Sequence, residues 1–115
     1  LLSIAPGSNI TVSSFDDLPK QPYDVMINAT TLSLQGNTPK IPEDVYAKAS
    51  SVYDMVYLPQ PTVFMQAALA AGCPNVSDGL GMLVGQAAES FTFWTGRKVD
   101  TGPVLEVLRQ DLQGR

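Results

Sequence analysis

The chain's 115 residues support one small domain with one core, and a net charge of −4 without any basic run argues against nucleic acid or an anionic membrane as partner. No histidine is present, so no Ser-His-Asp or Cys-His nucleophile can assemble, and with only one cysteine no metal site is expected. That thiol, Cys73, excludes an internal disulfide and fits a reducing, cytoplasmic setting, and no apolar run reaches the length of a bilayer span.

Residues 1–5 are apolar but too short to assign, and read as the end of a helix begun earlier. Beginning at Leu1 rather than methionine, the chain reads as a processed form or a piece of a longer protein. Pro6, Gly7, Ser8 and Asn9 have turn composition. The polar–apolar alternation of residues 9–13 predicts a first strand, followed by a helical turn over 14–18 and a connection marked by Pro19 and Pro22. Residues 23–30 predict a second strand. Its centre, Val25-Met26-Ile27, is continuously apolar, as expected of a parallel strand covered on both faces. Residues 33–40 read as a loop broken by Gly36 and Pro39, and Pro42 suits the first position of a short helix reaching about Ala49.

A third strand is predicted over 51–57, ending in Leu58-Pro59-Gln60-Pro61. Thr62 can cap a helix over 63–71, with Gly72 just past its end. Residues 75–77 read as short and extended. A long helix over about 80–95 stops at Gly96, and Asp100-Thr101-Gly102-Pro103 opens a last helix with an apolar stripe of Val104, Leu105, Leu108 and Leu112. Strands alternating with helices imply βαβ units, hence an α/β fold with a parallel sheet. Three strands are few. The sheet is expected to have an open edge at its first strand and to continue in residues beyond this chain.

The helix start at residues 78–91 organises the functional reading. Leu83, Ala87, Phe91 and Trp94 recur at helical spacing and read as a core stripe. Gly79, Met82, Gln86 and Ser90 form a neighbouring stripe that combines a glycine with an uncharged amide. Such a stripe suits a helix lining a cleft, with Gln86 bonding a ligand; the alternative is a buried helix with one satisfied glutamine. Ligands of open parallel sheets bind beyond the carboxyl ends of the strands. Asn28-Ala29-Thr30-Thr31 and Tyr57 follow two predicted strands there. Asn28 and Thr30 can bond a cofactor amide or fix a loop, and the Tyr57 phenol can donate to a carboxylate or simply sit amphipathically at a strand end. Asp54, inside an apolar strand, reads as a hydrogen-bonded structural carboxyl group. Cys73 reads as inert, and Phe91, Phe93 and Trp94 read mainly as core aromatics. No Gly-x-Gly-x-x-Gly is present to cradle a pyrophosphate.

Four motifs, in order, carry a resemblance: Asn28-Ala29-Thr30; Val52-Tyr53-Asp54-Met55-Val56-Tyr57-x-Pro59-x-x-Thr62; Asp78-Gly79-Leu80-Gly81-Met82-Leu83-Val84-x-Gln86-Ala87; and Phe91-x-x-Trp94-x-Gly96. Over nearly all of its length the chain resembles the C-terminal part of the shikimate dehydrogenase family. The glycine-rich helix start with its glutamine is the most specific of the four, and the tripeptide the least. The resemblance implies the C-terminal half of a Rossmann-like NADP-binding domain over residues 1–77. Residues 78–115 would be C-terminal helices that line the cleft and return toward a substrate domain absent from this chain.

The implied activity is reduction of 3-dehydroshikimate to shikimate with NADPH, in aromatic amino acid biosynthesis. By resemblance, Tyr57 meets the substrate carboxylate and Gln86 a substrate hydroxyl, while Asn28, Ala29, Thr30, Thr31, Met55, Gly79 and Met82 surround the nicotinamide half of the cofactor. No catalytic residue is expected in this chain, because the family's lysine–aspartate pair belongs to the absent domain. Where the family usually has glycine and methionine, this chain has Ser33 and Leu34, which puts the local cofactor contacts in question. Two other readings stand beside this one. The first is an NAD-dependent quinate/shikimate dehydrogenase; the second is a noncatalytic module binding a partner, or itself, through the open sheet edge.

Overall fold

Parallel strands β1 (Tyr23–Asn28), β2 (Ala49–Asp54) and β3 (Asn75–Ser77) form a sheet in that order. A computed structural model describes residues 6–115, so the opening apolar residues lie outside the described part. The parallel α/β expectation holds, with different strand membership. Residues 9–13 form no strand, since an alternating run creates no sheet unless a neighbouring backbone completes its hydrogen bonds. Residues 75–77, read only as extended, pair with β2 as the third strand. The strand expected over 51–57 starts earlier and stops at Asp54, so Tyr57 lies beyond it.

Met26, Val52 and Val76 stand in one row across the three strands. They pack with Tyr46, Phe64, Ala68 and Cys73 into the core, under helices α1 (Glu43–Ala47) and α2 (Val63–Ala70). The opposite face follows from the period-two alternation of a strand. Val25 and Ile27 point there and are 56% and 57% exposed, so β1 is covered on one face only by the described residues. The continuous apolar run correctly indicates a parallel strand, but its second cover is not supplied by this part of the chain.

Local signals set most helix boundaries. The Thr62 hydroxyl accepts from the Met65 amide at 3.2 Å and starts α2, and the turn past its end places Gly72 at φ 92°, where a side chain would be strained. Pro42 stands one position before α1 rather than at its first residue, and the helix ends at Ala47, ahead of Ala49, which already belongs to β2. The loop expected over 33–40 opens instead with a turn of 3-10 helix, Leu32–Gln35.

Helix α3 (Leu80–Thr95) ends where Gly96 turns to φ 72°, and α4 (Thr101–Gln113) is capped by Asp100, whose side chain accepts from the Gly102 amide at 3.1 Å. The buried positions of α3 are Leu80 and Val84, rather than the expected stripe of Leu83, Ala87, Phe91 and Trp94. Phe93 and Trp94 are 86% and 78% exposed and Phe91 is exposed as well, so their expected core role is not met. The reason is simple. Helical spacing marks an apolar face, but among the described residues α4 is the main element against α3, and it leaves the aromatic end of that face exposed. No helix among the described residues is long and apolar enough to cross a membrane.

Candidate functional site

The candidate residues come from three strand ends, and Met55 joins them. Its amide donates to the Asn28 carbonyl at 3.0 Å, extending the β1–β2 ladder one residue past β2. On the other side the backbone of Gly79 lies against the Met55 carbonyl so closely that an added Cβ would stand 1.9 Å from that oxygen. The Gly79 amide also reaches the Val56 carbonyl at 3.4 Å. The chain after β1, the chain after β2 and the start of α3 are thereby held together at the carboxyl end of the sheet. Glycine at position 79 is required here by backbone packing, a reason independent of any ligand.

Asn28 is buried, and its side chain is committed within the protein. Its Oδ1 accepts from the Thr30 amide at 3.0 Å and the Thr30 hydroxyl at 2.7 Å, while its Nδ2 faces Asp54 and Ser33, each at 3.4 Å. It therefore takes the loop-fixing alternative, presenting Ala29, Thr30 and Thr31 at the exposed surface. Met55 and Met82 are both exposed thioethers. Tyr57, 37% exposed, borders a small cleft with Leu80, Leu83, Leu108, Asp111 and Arg115. Gln86 is exposed on the α3 stripe that runs from Gly79 through Met82. Neither the Tyr57 hydroxyl nor the Gln86 amide hydrogen-bonds another described residue, so both keep their polar ends available.

Beneath this surface, Asp54 has 0% exposure and accepts four hydrogen bonds from neutral donors. Oδ2 takes the hydroxyls of Ser33 and Thr62, both at 2.6 Å, and Oδ1 takes the Val56 amide at 3.0 Å and the Asn28 carboxamide at 3.4 Å. The structural role expected of Asp54 is met. Ser33 carries no backbone strain, since no residue other than glycine has positive φ among the described residues. Serine adopts the required backbone without strain, and its hydroxyl finds a buried partner.

The best-buried of the three ion pairs among the described residues has no counterpart in the sequence expectations. Arg109 of α4 holds Asp78 through two bonds, Nη1 at 2.7 Å and Nη2 at 2.8 Å, while Asp78 Oδ1 also accepts from the Leu80 amide at 3.2 Å at the start of α3. The Asp78 bonds lift the Arg109 pKa further above its ordinary value. Asp78 before a helix start is a legible local signal; its partner, 31 residues on, is not. The pair borders a cleft of about 440 Å³ with Pro59, Pro61, Met65 and Leu105, and none of the candidate residues lines it.

The surface can be tested against a nicotinamide cofactor from its own donors. Small neutral side chains and two thioethers around a rigid backbone fit an uncharged amide-bearing ring. The phosphates of a dinucleotide find no glycine-rich cradle of the Gly-x-Gly-x-x-Gly kind in this sequence. These residues would suit the nicotinamide end of such a cofactor rather than its pyrophosphate.

Parallel strands, crossover helices and converging carboxyl-end loops make this part of a Rossmann-like domain. A family model described as Shikimate 5'-dehydrogenase C-terminal domain matches residues 79–109. Over 108 residues the chain is 44% identical to the shikimate dehydrogenase (NADP(+)) of Nitrosospira multiformis, an alignment that covers 94% of this chain and 39% of that protein. Among solved structures, an Ael1 enzyme from Pseudomonas putida aligns with TM-score 0.77 and 38% identity, over 84% of this chain and 35% of that one. The shikimate 5-dehydrogenase of Thermus thermophilus, in complex with shikimate, aligns with TM-score 0.62 and 30% identity, over 83% and 36% respectively. The chain is thus similar over nearly all of its length to the C-terminal part of NADP(+) shikimate dehydrogenases, and spans about two-fifths of the length of such relatives.

Proposed function

We propose that this chain is the cofactor- and substrate-positioning part of an NADP-dependent shikimate dehydrogenase, an oxidoreductase that reduces 3-dehydroshikimate to shikimate. Residues 1–77 belong to the second half of its dinucleotide-binding domain. Residues 78–115 form helices that line the cleft and return toward a substrate domain in the longer protein. A cytoplasmic setting goes with this reading.

The observation that carries it is the convergence at Met55, which joins the Asn28 strand end to the Gly79 helix start. The roles are those the family resemblance implies, and the convergence supports them by bringing the segments together. Ala29, Thr30, Thr31, Met55, Gly79 and Met82 surround the nicotinamide ring, with Asn28 shaping the first of these segments. The Tyr57 hydroxyl donates to the substrate carboxylate, and the Gln86 amide holds a substrate hydroxyl near the reacting carbon. Bound NADPH supplies the hydride, and the protein's share is to hold both reactants in contact and exclude water. Proton transfer needs a group placed at the substrate hydroxyl. None of Lys20, Lys40, Lys48 or Lys98 sits in a motif matching the family's catalytic lysine, so that group is assigned to the remainder of the longer enzyme.

The test is a hybrid in which this chain replaces the matching C-terminal part of the Nitrosospira multiformis relative. NADPH-dependent reduction of 3-dehydroshikimate by the hybrid, and none by the 115-residue chain alone, is the expected result. The chain alone is also expected to bind NADPH poorly, because it contacts only the nicotinamide end, and to self-associate through the unpaired side of β1. A folded hybrid that binds NADPH but reduces no 3-dehydroshikimate refutes the substrate assignment. Micromolar NADPH binding by the isolated chain refutes the placing of the cofactor contacts.

A further inference from the structure

We infer that Asp54 is a positioning residue for the nicotinamide-facing loop, and that it acts through the hydroxyl of Ser33. The inference rests on the functional reading above but concerns residues that touch neither reactant. Asp54 is the last residue of β2, fully buried, and its four bonds reach three separate segments. Ser33 and Asn28 belong to the segment that carries Ala29, Thr30 and Thr31. Val56 lies between Met55 and Tyr57. Thr62 is the cap of α2.

The geometry divides into a loop arm and a helix arm. On one oxygen, Oδ2, the hydroxyls of Ser33 and Thr62 meet, each at 2.6 Å. The Ser33 bond pins the 3-10 turn that follows Thr31, and with it the return path of the loop. The Thr62 bond orients a hydroxyl that already accepts from Met65, so it secures the helix start. A carboxyl group serving only stability needs no particular partner among these. One that positions the loop requires the Ser33 arm, because Asn28 alone holds only the near end of the loop through Thr30. Asn28 and Asp54 are register partners on adjacent strands, so the hub and the loop it steers share one rigid base.

The two arms make the inference testable in the longer enzyme. Ser33→Ala cuts the loop arm, and Thr62→Ala the helix arm. Where a binding-competent loop is only partly populated, apparent affinity falls by that fraction. Ser33→Ala is therefore expected to raise KM for NADPH roughly three- to tenfold, as when the competent loop falls to between about a third and a tenth of the population, with a smaller change in KM for the other substrate. Hydrogen exchange should quicken over residues 29–36 and stay as it was over 63–70. Thr62→Ala should lower the melting temperature and quicken exchange over 63–70, while KM for NADPH holds. Asp54→Ala is expected to disturb both arms or to fail to fold, and Asp54→Asn, which keeps the shape and an oxygen for the Val56 amide, should restore the fold and part of the affinity.

If Ser33→Ala and Thr62→Ala both lower the melting temperature alike, with KM for NADPH and exchange over 29–36 unchanged, Asp54 is a structural carboxyl only and the inference is overturned. Failure of the wild-type enzyme to reduce 3-dehydroshikimate sinks the proposed substrate instead. The exchange pattern still decides the role of Asp54 in that case, since it needs no turnover.

Discussion

Gly79 and Met55 approach so closely that the first cannot carry a side chain: a Cβ on Gly79 would fall 1.9 Å from the Met55 carbonyl oxygen and 2.7 Å from its carbon. The obstacle is backbone at the end of a paired strand, so it cannot swing aside. Gly79→Ala must push α3 away from the sheet, with an expected loss of about 1–3 kcal/mol, the usual cost of overpacking. Because Met82 and Gln86 ride on the same helix, NADPH and substrate affinities should fall together. Gly85, in the middle of α3, has nothing within 4 Å of the corresponding position. Gly85→Ala is expected to stabilise by about 0.5–1 kcal/mol through helix propensity. Thermal melts of both variants check the contrast, and equal destabilisation would contradict the packing account.

Arg109 and Asp78 dock α4 onto the start of α3. Helix α4 has no buried residue, so this two-bond contact and the half-buried Leu105 and Leu112 hold it in place. The Asp78 side chain is 9% exposed, but Arg109 is 35% exposed, and solvent screening reduces the strength of the pair. Arg109→Ala should cost about 1–2 kcal/mol, between an exposed ion pair and a charge-assisted bond in a buried site. Exchange protection should drop along α4 first. Asp78→Asn keeps a cap for the Leu80 amide and loses the pair, so combining it with Arg109→Ala should add little further loss.

The roles proposed for Tyr57 and Gln86 predict different kinetic effects in the longer enzyme. Removing a phenol that donates to a carboxylate costs about 1.5–3 kcal/mol, so Tyr57→Phe should raise KM for shikimate roughly 10–150-fold and leave NADP binding nearly unchanged. Gln86→Ala should lower both substrate affinity and turnover, since an unpaired substrate hydroxyl costs about 1–3 kcal/mol near the reacting carbon. Steady-state kinetics and melting temperature on the same preparations separate these effects from loss of fold. Normal kinetics in both variants would return the two residues to a structural role.

Tyr46 gives the core an alkaline limit. It is buried against Phe64, with ring centroids 5.6 Å apart and planes at 65°, and its hydroxyl meets that of Thr38 at 3.3 Å. Burial pushes its pKa above the ordinary value of 10.0; the Thr38 bond opposes the shift and the Asp54 charge adds to it. A folded-state pKa raised above the unfolded one gives stability that is complete below the unfolded value and disappears as pH climbs through the folded value. Unfolding free energy should therefore decline from about pH 10 upward. Tyr46→Phe removes this part of the decline, at the cost of the Thr38 bond. Denaturant midpoints of the two proteins across pH 8–11 provide the measurement, and parallel curves would rule Tyr46 out as the source.

The sequence by itself determined the elements whose signals are local. Thr62 and Asp100 start helices by offering an oxygen to nearby amides, Gly72 and Gly96 end turns that need positive φ, and Val25-Met26-Ile27 marks a parallel strand. It also determined the character of Asp54, because a carboxyl group in an apolar strand must find donors. Four ordered motifs carried the resemblance that the comparisons with known proteins bear out.

Only the tertiary structure decided what depends on residues far apart in the chain. It showed that residues 9–13 form no strand and that 75–77 do, since a strand exists only through its neighbour. Arg109 found Asp78 across 31 residues, and Ser33 found Asp54 across 21, neither leaving any periodic trace. The exposure of Phe91, Phe93 and Trp94 belongs here too. Spacing reveals that a face is apolar; what covers it is decided by where the other elements pack.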